Sequence, residues 1–313
     1  MRAVQVSRWG PPEVLEPVDL PTPEPIATEV LVRVQAAGVN PVDWKTRAGE
    51  GRARSLYHPP FVVGWDVAGV LDQVGDGVTR FVPGDQVFGM PWFPRLAGAY
   101  AEYVTAPSRQ FARIPDTLDS VQAGALPLAG LTAWQSLVDT AKLERGDHVL
   151  IHAAAGGVGH LAVQIAKARG AHIVATARTN KHEFLRGLGV ERLIDYTDVA
   201  FEAEAGEVDV VLDPVGTKDY GVRSLQCLRE GGLIIQLTGG APESVKHAAR
   251  EQGKRATGIL VEPDGHALEQ LAGLADAGQL HVEVAEELPL EQAARAHELS
   301  QSGRTQGKLV LVP

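Results

Sequence analysis

The first third of the chain carries apolar positions at the two-residue spacing of strands. Val30-Leu31-Val32-Arg33-Val34 alternates in this way, and Met1-Arg2-Ala3-Val4-Gln5-Val6 does so with polar interruptions. Residues 67–74 form a short apolar run closed by Gly75-Asp76-Gly77. Pro83-Gly84-Asp85 is a turn signal ahead of Gln86-Val87-Phe88. Strand follows strand with few helical periods, which predicts a barrel-like antiparallel domain over residues 1–118. From residue 119 the pattern changes. Residues 120–137 read as helices interrupted around Pro127 and Gly130. Strands at 149–151, 173–175, 193–194, 208–212, 233–237 and 259–261 then alternate with helical stretches such as 158–169 and 181–188. In the first of these helices Leu161, Ile165 and Ala168 fall on one face. Such alternation predicts an α/β domain over residues 119–261, a doubly wound parallel sheet covered by helices on both faces. Beyond it come helices at 267–277 and 290–300 and a closing strand, Lys308-Leu309-Val310-Leu311-Val312. The closing segment, residues 262–313, is read as returning to the first domain, which makes that domain discontinuous.

Composition narrows the function. The 313 residues are 44% apolar, as a chain with packed cores requires. With 39 acidic and 29 basic residues the formal charge is -10, which argues against nucleic acid as a partner while leaving room for a local anion site. The single cysteine, Cys227, can form neither an intrachain disulfide nor a cysteine-based zinc site, so a cytoplasmic location is the expectation. The N-terminus lacks the apolar core of a signal peptide. No apolar run approaches the roughly 18 residues of a membrane span, so no membrane partner is expected.

The motif with the clearest chemistry is Ala153-Ala154-Ala155-Gly156-Gly157-Val158-Gly159, between a predicted strand and a predicted helix. Small residues there let the backbone approach a pyrophosphate, and the helix start offers free N–H groups and a favourable dipole. Ala154 stands where the usual G-x-G-x-x-G run has its first glycine; the plainer alternative is a turn that only packs helix on strand. About 20 residues on, where an acid would bind the ribose diol of NAD, the chain reads Ala175-Thr176-Ala177-Arg178-Thr179-Asn180-Lys181. Arg178 and Lys181 suit the 2'-phosphate of NADPH, which a carboxylate would repel.

With these residues in view, the chain resembles the medium-chain dehydrogenase/reductase superfamily along nearly its whole length, closest to the zinc-free quinone oxidoreductase and alkenal reductase branch. Asn40-Pro41-Val42-Asp43 resembles the branch's N-P-x-D motif, and Gly64-Trp65-Asp66 stands where zinc enzymes carry Gly-His-Glu. The turn region from Gly75 to Gly84-Asp85 matches as well. The resemblance implies a Rossmann domain inserted in a GroES-like β-rich catalytic domain, an NADPH cofactor and a homodimer. Cofactor contacts would come from Thr132, from Ala155, Gly156, Gly157, Val158 and Gly159, and from Thr176, Arg178, Lys181 and Tyr196. Pro214, Val215, Gly216, Leu237, Thr238, Gly307 and Lys308 would complete them. Zinc relatives place a Cys near position 40 and a His at 65; here these are Asn40 and Trp65, so no catalytic zinc of that type is expected.

A quinone or an enone needs no Lewis acid. Hydride addition delocalises charge onto an oxygen, a hydrogen-bond donor stabilises it, and water supplies the proton. Asn40 is the first candidate donor; a turn residue before Pro41 is the competing account. Tyr57 is a second candidate donor, and Lys45 is a candidate partner for the nicotinamide ribose or a substrate carbonyl. Trp44, Trp65, Trp92 and Phe93 are candidates for lining an apolar substrate pocket, against the ordinary alternative of core packing. The expected site is a cleft between the domains. Two alternatives stay open: an enoyl-thioester reductase, with Arg47, Arg52 and Arg54 receiving substrate phosphates, and a catalytically silent NADPH-binding sensor or structural protein.

Overall fold

The computed structural model describes residues 1–237 and 239–313; Thr238, a candidate cofactor contact, lies outside the described residues. The early strands are β1 (Arg2–Val6), β2 (Leu15–Asp19), β3 (Glu29–Val39), β4 (Phe61–Val62), β5 (Val67–Val74), β6 (Gln86–Gly89), β7 (Tyr103–Pro107) and β8 (Phe111–Arg113). The central strands are β9 (His148–Ile151), β10 (His172–Thr176), β11 (Arg192–Ile194), β12 (Val208–Asp213), β13 (Leu228–Gln236) and β14 (Arg255–Gly258). The last two are β15 (Val284–Pro289) and β16 (Lys308–Val312). The chain folds as two compact units. One comprises Met1–Leu131, Glu262–Gly278 and Val282–Pro313; the other comprises Thr132–Val261 and Gln279–His281.

In the first unit the sheet runs β15-β16-β3-β5-β6-β8, with β7 on β3 and a separate small sheet β2-β1-β4. β3 is its longest strand and is buried almost end to end, as its apolar run demands once neighbours cover both edges. β16 pairs antiparallel with β3 through Leu309↔Val39 and Leu311↔Ala37, so the final strand lies inside the sheet. The unit reaches Leu131 because the helix Ser120–Ala125 packs on it. Asp119 and Gln122 close a capping box at its start, and a Cβ on Gly124 would stand 2.7 Å from that of Ala36. The helical reading of 120–137 breaks before Pro127 but not at Gly130, which lies within the helix Pro127–Trp134. A Cβ at Gly130 would come 2.9 Å from Leu271, so the glycine serves close packing.

In the second unit all six strands are parallel in the order β11-β10-β9-β12-β13-β14, the doubly wound arrangement. The sixth strand lies earlier than 259–261. Arg255–Gly258 makes the ladder to β13, and Leu260 is 66% exposed. The strand ends at Gly258 because Gly240 and the Gln236 carbonyl crowd it to within 2.4 and 2.9 Å of a Cβ position, a fit only glycine allows. Among the described residues no helix is long and apolar enough to cross a membrane.

Candidate active site

In the first unit the N-P-x-D segment forms the start of the helix Pro41–Ala48. Pro41 sits at its first position, and Asp43 accepts from the Asn40 backbone N–H at 2.7 Å. Asp43 thus caps the turn and leaves the Asn40 side chain to work elsewhere. Asn40 is buried. Its Nδ2 donates to Asp66 Oδ2 at 2.8 Å, and its Oδ1 accepts from Lys308 Nζ. The amide orientation is therefore fixed by charge: a flip would turn NH2 toward an ammonium and the oxygen toward a carboxylate. One Nδ2–H remains without a partner among the described residues.

Around this amide lies a buried polar network. Lys308 Nζ also donates to Val39 O at 3.1 Å and stands 3.6 Å from Asp66. Asp66 Oδ1 accepts from Leu128 N at 2.7 Å. On the Asp43 side, Arg47 is a permanent donor, so His297 Nδ1 accepts at 3.1 Å. His297 Nε2–H then donates to Tyr100 Oη at 3.1 Å, and the phenol donates to Asp43 Oδ2 at 3.0 Å. The proton order is unique because the guanidinium cannot accept. Burial, aided by Arg47, lowers the His297 pKa to about 3, in keeping with this neutral imidazole. Burial raises Asp43 to about 7 and Asp66 to about 6, while Lys308 is lowered, again by burial.

This geometry corrects several expectations. Lys308 is 3% exposed and its ammonium is engaged by Asp66, Asn40 and Val39, so it has no donor left for a nicotinamide. Gly307 serves the turn into β16: its φ is 67°, and a Cβ would stand 2.2 Å from Glu283 O. Trp65 is fully buried with its indole N–H on Arg95 O at 2.6 Å, so it is core and lines no open pocket. Phe93 meets it edge-on, and Trp92 donates to Thr105 O at 2.8 Å; both are half-buried. Trp44 is half-buried, with a buried indole nitrogen that has no partner among the described residues, and Lys45 lies 5.4 Å from its ring. The Tyr57 hydroxyl already donates to Pro94 O. Arg47 is buried and cannot belong to a surface cluster with Arg52 and Arg54, and Arg54 stacks over Trp9. The three arginines therefore do not form the single surface cluster pictured for a phosphate-bearing thioester, although Arg52 and Arg54 stay exposed.

In the second unit the small-residue turn joins β9 to the helix Gly157–Ala168, with Gly156 as N-cap and no side chain capping the helix. Ala153 takes a left-handed φ of 46°, and Thr176 O accepts from Ala154 N at 3.1 Å. A Cβ on Gly159 would come 2.4 Å from Ala153 O, so the helix can sit this low on the turn only with glycine there. Ala155 and Gly159 are buried, whereas Gly156, Gly157 and Val158 are partly open. An uncapped helix start with small residues over it fits a diphosphate. The Thr176 hydroxyl is engaged by His152 Nδ1 at 3.0 Å, and His152 Nε2 meets Ser224 Oγ at 2.9 Å; burial lowers this imidazole to about 3. Thr132 is buried, and its carbonyl accepts from Ser136. The Pro214, Val215 and Gly216 turn is held by Asp213, which accepts from Val215 N at 2.9 Å, Gly216 N at 3.0 Å and Gln236 Nε2 at 2.8 Å. Leu237 continues it by donating its backbone N–H to Asp213 O at 3.0 Å.

Past β10, Arg178 is exposed. Its side chain bonds to the Tyr196 hydroxyl at 3.3 Å, and among the described residues it forms no ion pair and the Lys181 ammonium has no partner. Arg178 and Lys181 are thus two cations on the loop that follows β10, with the Asp195 carboxylate acting on Arg178 through space.

Known proteins agree with this architecture. Residues 26–116 match the family model described as alcohol dehydrogenase GroES-like domain, and residues 188–311 match one described as zinc-binding dehydrogenase. A 2-haloacrylate reductase of Burkholderia sp is 35% identical over 336 residues, covering 100% of this chain and 99% of that protein. The quinone oxidoreductase of Rattus norvegicus is 32% identical over 329 residues, covering 100% and 98%. The solved quinone oxidoreductase of Coxiella burnetii superposes with a TM-score of 0.94 at 39% identity, covering 100% and 99%.

The chain belongs to the medium-chain dehydrogenase/reductase superfamily, in its zinc-free quinone oxidoreductase branch.

Other solved members include a mycobacterial protein complexed with NADPH (TM-score 0.87, 30% identity, covering 100% of both chains). An NAD-dependent alcohol dehydrogenase is equally near in fold (TM-score 0.89, 33%, covering 100% of both). The protein is accordingly an oxidoreductase with a nicotinamide cofactor and a small-molecule substrate. The zinc in the second family model's description is not carried by this medium-chain reductase's residues. Among the described residues no group of three or more His, Cys, Asp or Glu side chains could hold a metal ion. Sequence reasoning missed Tyr100 and His297 around Asn40 and His152 behind Thr176, and gave Asp66 and Arg47 other roles than the buried network they form. Only Asp43, three residues after Asn40, carried a local signal, as a capping partner.

Proposed function

We propose that this reductase takes hydride from NADPH and adds it to a quinone or an α,β-unsaturated carbonyl, with no metal in the step. The observation that carries the cofactor half is the pair Arg178 and Lys181, cations that form no ion pair among the described residues, on the loop after β10, whose last residue, Thr176, holds the glycine turn through its carbonyl. Bound there, the reduced nicotinamide supplies the hydride. The chain's own residues hold and orient. The first-turn N–H groups after Gly156 would hold the diphosphate, and Asp213 fixes the 214–216 turn. Asn40 offers its remaining Nδ2–H to an acceptor oxygen as charge gathers there, with Lys308 and Asp66 preventing the amide from flipping. Water delivers the proton.

The test is a panel of quinones, alkenals and enoyl thioesters with NADPH and with NADH. We expect quinone or alkenal reduction with NADPH preferred. Turnover confined to thioesters would overturn the substrate reading, NADH preference the cofactor reading, and no turnover with any acceptor the enzymatic one.

A further inference from the structure

The loops after β10 and β11 lie side by side, because the strands pair through Thr176↔Ile194 and Ala177 N donates to Ile194 O. The first loop carries Arg178 and Lys181, and the second carries Tyr196. Between them sits one carboxylate, Asp195. Its Oδ2 accepts from Thr179 N and Thr179 Oγ1, both at 2.5 Å; its Oδ1 accepts from Thr197 N at 2.9 Å and Thr197 Oγ1 at 2.6 Å. A carboxylate has about four lone-pair sites. Here four neutral donors, two from each side, fill them. Among the described residues Asp195 forms no ion pair with Arg178 or Lys181 and acts on Arg178 only through space. These hydrogen bonds, with the Thr179 and Thr197 hydroxyls foremost, hold its pKa well below the usual carboxylate range.

We propose that Asp195 is a positioning residue for recognition of the adenosine 2'-phosphate: it braces the two loops against each other while making no direct ion pair with Arg178 or Lys181 among the described residues. The inference rests on the NADPH reading above. An anion then meets cations already in place, and less ordering is required on binding. Charge alone predicts the opposite of bracing. Removing a negative charge near an anion site should tighten anion binding, whereas removing a brace should weaken it. Asp195→Asn separates the two, because an amide removes the charge and can accept with only one of its two ends.

The experiment is calorimetric titration of the wild-type protein and the Asp195→Asn variant with adenosine 2',5'-bisphosphate and with adenosine 5'-monophosphate. Wild type should prefer the bisphosphate. Asp195→Asn should weaken the bisphosphate by roughly tenfold and the monophosphate by less than about twofold, the pattern of lost preorganisation. Thr179→Ala, which deletes one donor and keeps the charge, should weaken the bisphosphate by about threefold, and it serves if the first variant fails to fold. If wild type does not discriminate between the two nucleotides, the NADPH reading fails. If it discriminates and Asp195→Asn binds the bisphosphate as well or better, or Thr179→Ala leaves it unchanged, bracing is refuted and only the charge acts.

Discussion

Replacing Lys308 by Met tests the buried network most directly. The change keeps a similar stem and removes the ammonium that faces Asp66 at 3.6 Å and Asn40 Oδ1. Burial already raises Asp66 from an ordinary 3.8 to about 6 with Lys308 present. At about 1.4 kcal/mol per tenfold change in proton affinity, ionising it inside the fold costs about 3 kcal/mol relative to water. Its folded pKa lies above its unfolded one, so its contribution to stability falls as pH rises from about 4 to about 6, where the native protein keeps a proton that the unfolded chain has lost. Without the cation the carboxyl titrates higher still, and the loss continues above pH 6. Breaking one side of a buried pair costs about 3–5 kcal/mol. That deficit belongs to pH 8. At pH 5 Asp66 is a neutral acid and needs no cation, and the variant also escapes the cost of burying an ammonium, so the deficit should shrink to less than about half. Urea midpoints at the two pH values, read with unchanged slopes, give the comparison. Equal destabilisation at pH 5 and pH 8 would show that Lys308 acts through packing alone.

Three further substitutions probe the site. Asn40→Ala should lower turnover about tenfold, on the order of one lost hydrogen bond, with affinity for NADPH unchanged; full turnover in steady-state assays would reduce Asn40 to a structural amide. Arg178→Ala should weaken NADPH much more than NADH in fluorescence titrations, and equal weakening would remove the 2'-phosphate role. Gly159→Val should abolish binding of either dinucleotide or destabilise the second unit, since its Cβ would stand 2.4 Å from Ala153 O and 2.6 Å from Ala154 Cα; a stable variant with normal affinity would contradict the packing.

What could be read from the sequence was local. Val67–Val74 and Lys308–Val312 were legible to the residue because each is a mostly apolar run with a glycine turn at one end. The glycine turn and its cations were legible because motif, helix start and loop lie within some thirty positions of one another. The sixth strand was misplaced because an edge ladder is made by backbone, and Arg255-Ala256-Thr257-Gly258 shows no apolar alternation. The network around Asn40 stayed hidden for a different reason. Asp66 is 26 residues away in sequence and Lys308 is 268, and no pattern in either segment announces the other. The tryptophans misled because a large ring with one polar atom suits a pocket wall and a core equally; Trp65 became core once Arg95 O was there to receive its N–H.

The place of β16 also governs how the molecule can be made. β3 offers only the Ala37–Val39 end of one edge to residues 309–311, which leave the ribosome some 270 positions later; β7 covers Glu29–Arg33. At roughly 5–20 residues per second, that edge waits on the order of 15–50 s for its partner. The second unit's six strands are all synthesised within that interval. Even a short apolar stretch with an open edge can mispair with neighbouring nascent chains. Stop codons that cut the chain just ahead of Lys308 would leave Ala37–Val39 permanently in that state.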